Sequence, residues 1–211
     1  MRPIILASQS ARRHDLLTAM GVAFRAIPSN FNEQLDDARD PEAVAKELGL
    51  AKALDIAELY PEAIVIGSDT IVCVDGRQLA KPRDIAEARE MLALLNGKTH
   101  QVVTSAVVVC KAAGAQFIGA DTTNVTFKQL DENTIDAYVD TGDPMDKAGG
   151  YGIQSGAAHL IDHIEGNYDT VVGFPTQLVA SYLAEFHIPT KPVLLQCPVP
   201  VQPKAGGLRA A

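Results

Sequence analysis

Short apolar runs alternate along this chain with longer segments of helical period. Residues 3–7 read as an opening strand closed by Ser8-Gln9-Ser10, and 11–20 follow as a helix with Ser10 as N-cap and Gly21 as its stop. A second strand over 23–27 runs into a polar loop at 28–34. Asp40-Pro41-Glu42 makes a helix start, with Pro at the first position, for a helix reaching about Leu59. Residues 63–67 form an apolar strand broken at Ser68-Asp69-Thr70, and 71–74 continue as strand into the hairpin turn Asp75-Gly76. Asp84 and Glu87 form a capping box ahead of a helix over 85–95, which Gly97 closes. Two long β segments follow, 101–110 and 117–127, joined near Ala113-Gly114. Asp131 caps another helix, ending near Gly142. Then come a glycine-rich loop at 147–152, a strand at 160–164, another near Val171-Val172, and a last helix from Pro175 to about Phe186. Strands and helices alternate irregularly and hairpins are present, so the expected fold class is α/β with a mixed sheet rather than a purely parallel one.

On this pattern residues 1–187 make one domain. Residues 188–211 carry Pro189, Pro192, Pro198, Pro200 and Pro203 without helical period, and the expectation is an extended or disordered appendage. A chain of 211 residues, 47% hydrophobic, has material for one substantial core and is short for two. Acidic residues outnumber basic ones by 26 to 18, giving a formal charge of −8. That charge repels polyphosphate backbones at long range, so neither nucleic acid nor an anionic membrane is an expected partner. A small anionic ligand remains admissible, because a local cationic pocket dominates within a Debye length. The opening apolar run is too short for a signal peptide, and no run approaches the ~20 residues that span a bilayer. Cys73, Cys110 and Cys197 are far apart and form no C-x-x-C pair, so they read as structural thiols of a cytoplasmic protein.

Candidate chemistry begins at Ser8-Gln9-Ser10-Ala11-Arg12-Arg13, where two arginines occupy the first turn of a helix. The helix dipole disfavours cations there, unless an anion lies against the same backbone N–H groups. This is a phosphate-site signal, and no Walker loop exists in the chain. Asp69 ends a buried strand, where it either holds a cation or orients water, or simply terminates the strand as a turn residue. Lys81, stiffened by Pro82, suits a positioned phosphate contact but also a solvated loop. Lys52 stands alone among Ala and Leu on a helix, and Glu33 is a loop carboxylate. Lys147 is divided between phosphate contact and an ion pair with Asp146 or another carboxylate. His159 and His163 flank Asp162 with no evident third ligand, which disfavours zinc.

Taken in order, Leu6-Ala7-Ser8-x-Ser10-x-Arg12-Arg13, Glu33, Lys52-Ala53, Ser68-Asp69-Thr70, Lys81-Pro82, Asp146-Lys147-Ala148-Gly149 and Tyr151-Gly152-Ile153-Gln154 resemble the Maf family of nucleoside triphosphate pyrophosphatases. The resemblance covers about residues 4–183. It implies a strongly twisted mixed sheet flanked by helices, similar to inosine triphosphatases, with a cleft at the strand ends. It also implies hydrolysis of a nucleoside triphosphate to the monophosphate and pyrophosphate with a divalent cation, Mg²⁺ or Mn²⁺. Asp69 would be the proton acceptor and, with Glu33, a metal ligand. Ser8, Arg13, Lys52 and Lys81 would hold the triphosphate, and Arg12, Thr70 and Gln154 would select the base. The set is most similar to the branch acting on dTTP and UTP. Competing readings are the 7-methyl-GTP branch and a nucleotide-binding regulator of cell division with little catalysis. A homodimer is a further implication.

A glutamine suits the expected bases, since its amide offers one donor and one acceptor to the O4/N3–H edge of uracil or thymine. Three positions depart from the family pattern. Ala11 replaces a proline, and Gly49-Leu50 precede Lys52 where Arg and Glu are common; neither removes a functional group. Ser155-Gly156 stands where glycine normally follows the glutamine directly, which bears on how the Gln154 loop sits.

Overall fold

In a computed structural model that describes residues 2–31 and 36–203, the most apolar runs lie side by side near the centre of one mixed sheet. Strand β1 (Ile4–Leu6) pairs in parallel with β2 (Arg25–Ala26) and with β3 (Ile64–Gly67). Both β1 and β3 are buried on both faces, which explains their unbroken apolar character. Beyond them β6 (Thr99–Cys110) and β7 (Ala115–Phe127) form a long antiparallel hairpin. The order across the sheet is β2-β1-β3-β6-β7-β8-β9, with β8 (Ile161–Glu165) antiparallel to β7 and β9 (Val201–Gln202) parallel to β8. The expected mixed α/β class is the one observed.

Strand β6 is the spine of the site. Its second half pairs with β3 and its first half with β4 (Thr70–Val74), which turns through Asp75-Gly76 into β5 (Arg77–Leu79). Gly67 faces Val107 and Thr70 faces Thr104, so the break at Ser68-Asp69 brings no change of register. There the Asp69 N–H donates to Ser105 Oγ (2.9 Å), and the Ser105 N–H donates to the Asp69 carbonyl (2.9 Å). A side chain thus replaces one rung of the ladder.

Helix α1 (Ala11–Ala19), α2 (Pro41–Leu59), α3 (Ile85–Leu95), α4 (Glu132–Val139), α5 (Tyr168–Val172) and α6 (Thr176–Ala184) cover the sheet. On one face, Ala53, Ile56 and Ala57 of α2 pack on Ile5, Val65, Val107 and Val109. On the other, Leu16, Leu17, Leu92, Leu95 and Val179 close over Leu6, Ile66 and Val108. Asp40 caps α2 as expected, accepting the Ala43 N–H at 3.0 Å. Asp84 likewise accepts the Glu87 N–H (2.8 Å), but Glu87 reaches back to the Arg83 N–H (2.7 Å) rather than closing the box on Asp84.

Two expectations differ from the structure. Val171-Val172 end α5 rather than forming a strand; a two-residue β-branched run carries no period, and left-handed Gly173 (φ 107°) stops the helix. The Pro-rich segment is extended through Pro203 but docked. The Lys191 N–H donates to the Met20 carbonyl (2.8 Å), Val199 is buried, and β9 adds an edge strand next to β8. The prolines preclude a helix, while Val193, Leu195 and Cys197 between them still pack on the core.

His100 on β6 is 2% exposed, its Nε2 lying 2.6 Å from the Tyr151 hydroxyl and its Nδ1 without a partner among the described residues. Burial pushes its pKa from the ordinary 6.5 down to about 3. Between those values the unfolded chain binds a proton that the folded chain refuses, so stability falls as pH falls through that window. His100→Gln is expected to flatten the slope of unfolding free energy against pH between pH 6.5 and 4 by up to about 1.4 kcal/mol per pH unit, read from urea unfolding at each pH.

Candidate active site

The site begins with a close approach. A Cβ on Gly67 would lie 2.3 Å from the Gly49 carbonyl, and one on Gly49 would lie 2.4 Å from Ser105 Oγ. Glycine at both positions lets α2 touch the backbone at the β3–β4 break. The next turn of α2 then carries Lys52 onto Asp69, and its Nζ bonds Asp69 Oδ1. Lys52 is 8% exposed and Asp69 4%, so neither is a solvated surface charge. Two charges drawn this far from water need close mutual geometry to offset their desolvation.

This pair borders a cleft of about 1100 Å³. Above it the small-residue turn after β1 leads into α1. Ser10 caps that helix by accepting the Arg13 N–H (3.4 Å), and Ser8 Oγ accepts from the Ser10 N–H (3.2 Å). Among the contacts that hold the Arg13 guanidinium, Nε donates to the Gly173 carbonyl (2.8 Å), Nη2 to Thr70 Oγ1 (3.0 Å) and Nη1 to Ser8 Oγ (3.4 Å). Thr104 stands behind Thr70, its hydroxyl 3.1 Å from Thr70 Oγ1 and 2.8 Å from the Thr170 carbonyl.

Opposite, Pro144-Met145-Asp146 lie in a 3-10 turn, and a second such turn follows at Ala148–Gly150. Asp146 accepts from Arg12 (3.3 Å) and from Lys147 (2.5 Å). Partial burial would raise the Asp146 pKa, but the Lys147 ammonium and the Arg12 guanidinium outweigh it and hold the carboxyl below its usual range. Lys147 also donates to the Asp143 carbonyl (2.7 Å) and sits 3.0 Å from Asp143 Oδ1. Lys147 is thus ion-paired with Asp146 and Asp143 at the edge of the cleft it also lines.

Lys81 is exposed on the loop after β5, and among the described residues it makes no hydrogen bond or ion pair. The Gly149 N–H donates to the Ala80 carbonyl (3.0 Å), which ties this loop to the glycine-rich one. Gln154 is exposed on the turn beyond Gly152. Every expected site residue that falls among the described residues lines this one cleft. Glu33 lies outside the described residues. Sequence reasoning passed over Ser105, Thr104, Gly173 and Asp143; a Thr-Ser pair inside the valine run of 102–109 was the available signal for the first two.

Among the described residues no three His, Cys, Asp or Glu side chains converge to hold a metal, and none of the helices is long and apolar enough to cross a membrane. His163 is engaged by Asp162 (2.8 Å) and His159 by the Gly156 carbonyl (2.7 Å).

A strand-end carboxylate clamped by a helix lysine thus shares one cleft with guanidinium and ammonium groups. The family model described as Maf-like protein matches residues 3–186, and the chain belongs to that family. The dTTP/UTP pyrophosphatase of Bacillus cytotoxicus is 44% identical over 186 residues, 88% of this chain and 96% of the relative. That of Bacillus cereus is 44% identical over 188 residues, 89% of this chain and 97% of the relative. The Staphylococcus aureus Ham1 protein has a TM-score of 0.42 at 13% identity over 60% of this chain and 72% of that one, a likeness too slight to bear on either fold or function.

Lys52→Met leaves a carboxylate buried without its ammonium. The unfolding free energy is expected to fall by about 3–5 kcal/mol, and the double variant Lys52→Met/Asp69→Asn to recover most of the loss. Urea denaturation of the two variants and the parent reads this directly.

Proposed function

We propose that this protein hydrolyses dTTP and UTP to the nucleoside monophosphate and pyrophosphate, water attacking the α-phosphorus. The observation that carries the reading is the buried Lys52–Asp69 pair at the wall of a cleft that Arg13 and Lys81 also line. The names of the relatives at 44% identity supply the substrate class.

Phosphoryl transfer asks the protein for positioning and for positive charge where oxygens gain negative charge. Arg13, held by Ser8, Thr70 and the Gly173 carbonyl, presents a preset fork to phosphate oxygens. Lys81 brings a compact mobile charge from the opposite loop. Lys52 fixes the rotamer of Asp69, so that the carboxylate accepts the proton of the attacking water from one direction. Thr70 Oγ1 accepts from that guanidinium and from Thr104, which helps to aim Arg13 and leaves the Thr70 O–H to donate to the substrate. Arg12, steadied by Asp146, and Gln154 flank the end of the cleft where the base would lie.

Mg²⁺ is commonly bound by one or two carboxylates together with substrate phosphates rather than by a protein cage. Asp69 lines the cleft and would supply one carboxylate to a Mg²⁺ or Mn²⁺ shared with the triphosphate; Glu33, the second candidate, lies outside the described residues. Bound there, the ion would neutralise phosphoryl charge and acidify water. A protein that only bound nucleotide would have no use for a carboxylate kept dry against a lysine, and this favours turnover over a purely regulatory role.

Pyrophosphate release, followed separately for UTP, dTTP and 7-methyl-GTP with Mg²⁺ or Mn²⁺, tests the reading. UTP and dTTP are expected to turn over. Asp69→Asn is expected to lower kcat by about 10²- to 10⁴-fold while triphosphate binding persists. Binding of UTP and dTTP without release, or release from 7-methyl-GTP alone, overturns it.

A further inference from the structure

The turn that carries Gln154 has little secondary structure to hold it, yet one carboxylate gathers its supports. Asp143 Oδ2 accepts the Ser155 hydroxyl (2.7 Å) and the Tyr138 hydroxyl. The Tyr138 oxygen in turn accepts the Gly152 N–H (3.0 Å), and Asp143 Oδ1 faces the Lys147 ammonium (3.0 Å). Both ends of the segment 152–155 are therefore bound to one side chain, directly through Ser155 and through Tyr138 at Gly152. The packing is equally close: a Cβ on Gly152 would lie 2.4 Å from both Lys147 Cε and Ser155 Oγ. The turn closes on itself through Ser155 N–H and Ala157 N–H, which both donate to the Gly152 carbonyl (3.2 and 3.1 Å). The Gln154 side chain stays exposed on the cleft outside this net, its amide against the Tyr168 hydroxyl.

We propose that Asp143 is a positioning residue for base recognition, acting with Ser155 to fix the turn that offers the Gln154 amide to the pyrimidine. The inference rests on the reading that Gln154 meets the base. Partial burial of Asp143 would favour its neutral form, but the Tyr138 and Ser155 hydroxyls and the Lys147 ammonium outweigh that, and its pKa lies below the ordinary value. A charged acceptor makes each of these bonds stronger than a neutral one would be. Ser155, the departure from the family pattern, is thus bonded into the turn and is no loose substitution.

Such a role separates base binding from phosphate handling, and inorganic tripolyphosphate, which has no base, reads the second alone. The experiment measures kcat and KM for UTP and dTTP, and the inhibition constant of tripolyphosphate, in Ser155→Ala, Asp143→Asn and Gln154→Ala. Ser155→Ala and Asp143→Asn are expected to raise both KM values roughly tenfold, with kcat and the tripolyphosphate constant held within about twofold. Should Asp143→Asn fail to fold, Ser155→Ala carries the test. KM values unchanged in Ser155→Ala while Gln154→Ala raises them would overturn the inference alone. A parallel rise in KM and in the tripolyphosphate constant would also overturn it, since general loosening of the cleft does that. If Gln154→Ala leaves both KM values untouched, the reading of Gln154 fails and the inference fails with it.

Discussion

The buried pair of Lys52 and Asp69 depends on how near a helix can come to a strand backbone. With no side chain on Gly49 or Gly67, α2 rests on the very residues where the β3–β4 ladder is interrupted. A methyl group on either would have to occupy space already held by the Gly49 carbonyl or the Ser105 hydroxyl. Displacing α2 would separate the charges, and two separated charges in this dry a setting keep their desolvation cost while losing their attraction. The same interruption explains why Asp69 can sit inside a sheet at all. Ser105 accepts its N–H from the side, so the backbone is satisfied while the carboxylate turns to the cleft.

From that fixed point the charges of the cleft follow in sequence. Arg12 and Arg13 occupy the first turn of α1, where the helix dipole opposes them. Asp146 answers Arg12, whereas the contacts that aim Arg13 include a carbonyl and two hydroxyls that carry no formal charge. The molecule as a whole carries −8, so an anion gains nothing from long-range steering. Attraction acts only inside roughly one Debye length, about 8 Å at physiological salt.

How much of this could be read from the residues varies with the physics involved. Capped helices and apolar strands were legible because their signals are local: Asp40-Pro41 begins α2, and β1 and β3 are unbroken apolar runs. The site residues were legible as a set through their motifs, although single positions were not. Lys52 in isolation reads as an aliphatic stem reaching for water, because nothing near it in sequence announces Asp69, seventeen residues on. Partners that come from far along the chain were invisible. Thr104 supports Thr70 and Gly173 aims Arg13 across separations of 34 and 160 residues. The docked Pro-rich segment was misjudged for a related reason, since prolines announce an extended backbone but not the core surface on which it lies.

The two halves of the cleft are made of different material, and this has a consequence for how the protein can vary. The half that carries Lys52, Asp69, Thr70 and Arg13 is set into the helices and central strands, and its contacts cross the molecule. The half that carries Gln154 is a run of tight turns between α4 and β8, held within residues 138–157 by Tyr138, Asp143, Lys147 and Ser155. It is joined to the first half and its sheet by Asp146 to Arg12, Gly149 to Ala80 and Val72, and Tyr151 to His100. Changes within the second half alter local bonds and leave the register of the sheet alone. On the proposed reading, this lets base choice shift by substitution in a short segment while the machinery that meets the triphosphate stays fixed. Ser155 following Gln154 is such a change, accommodated by one hydroxyl-to-carboxylate bond.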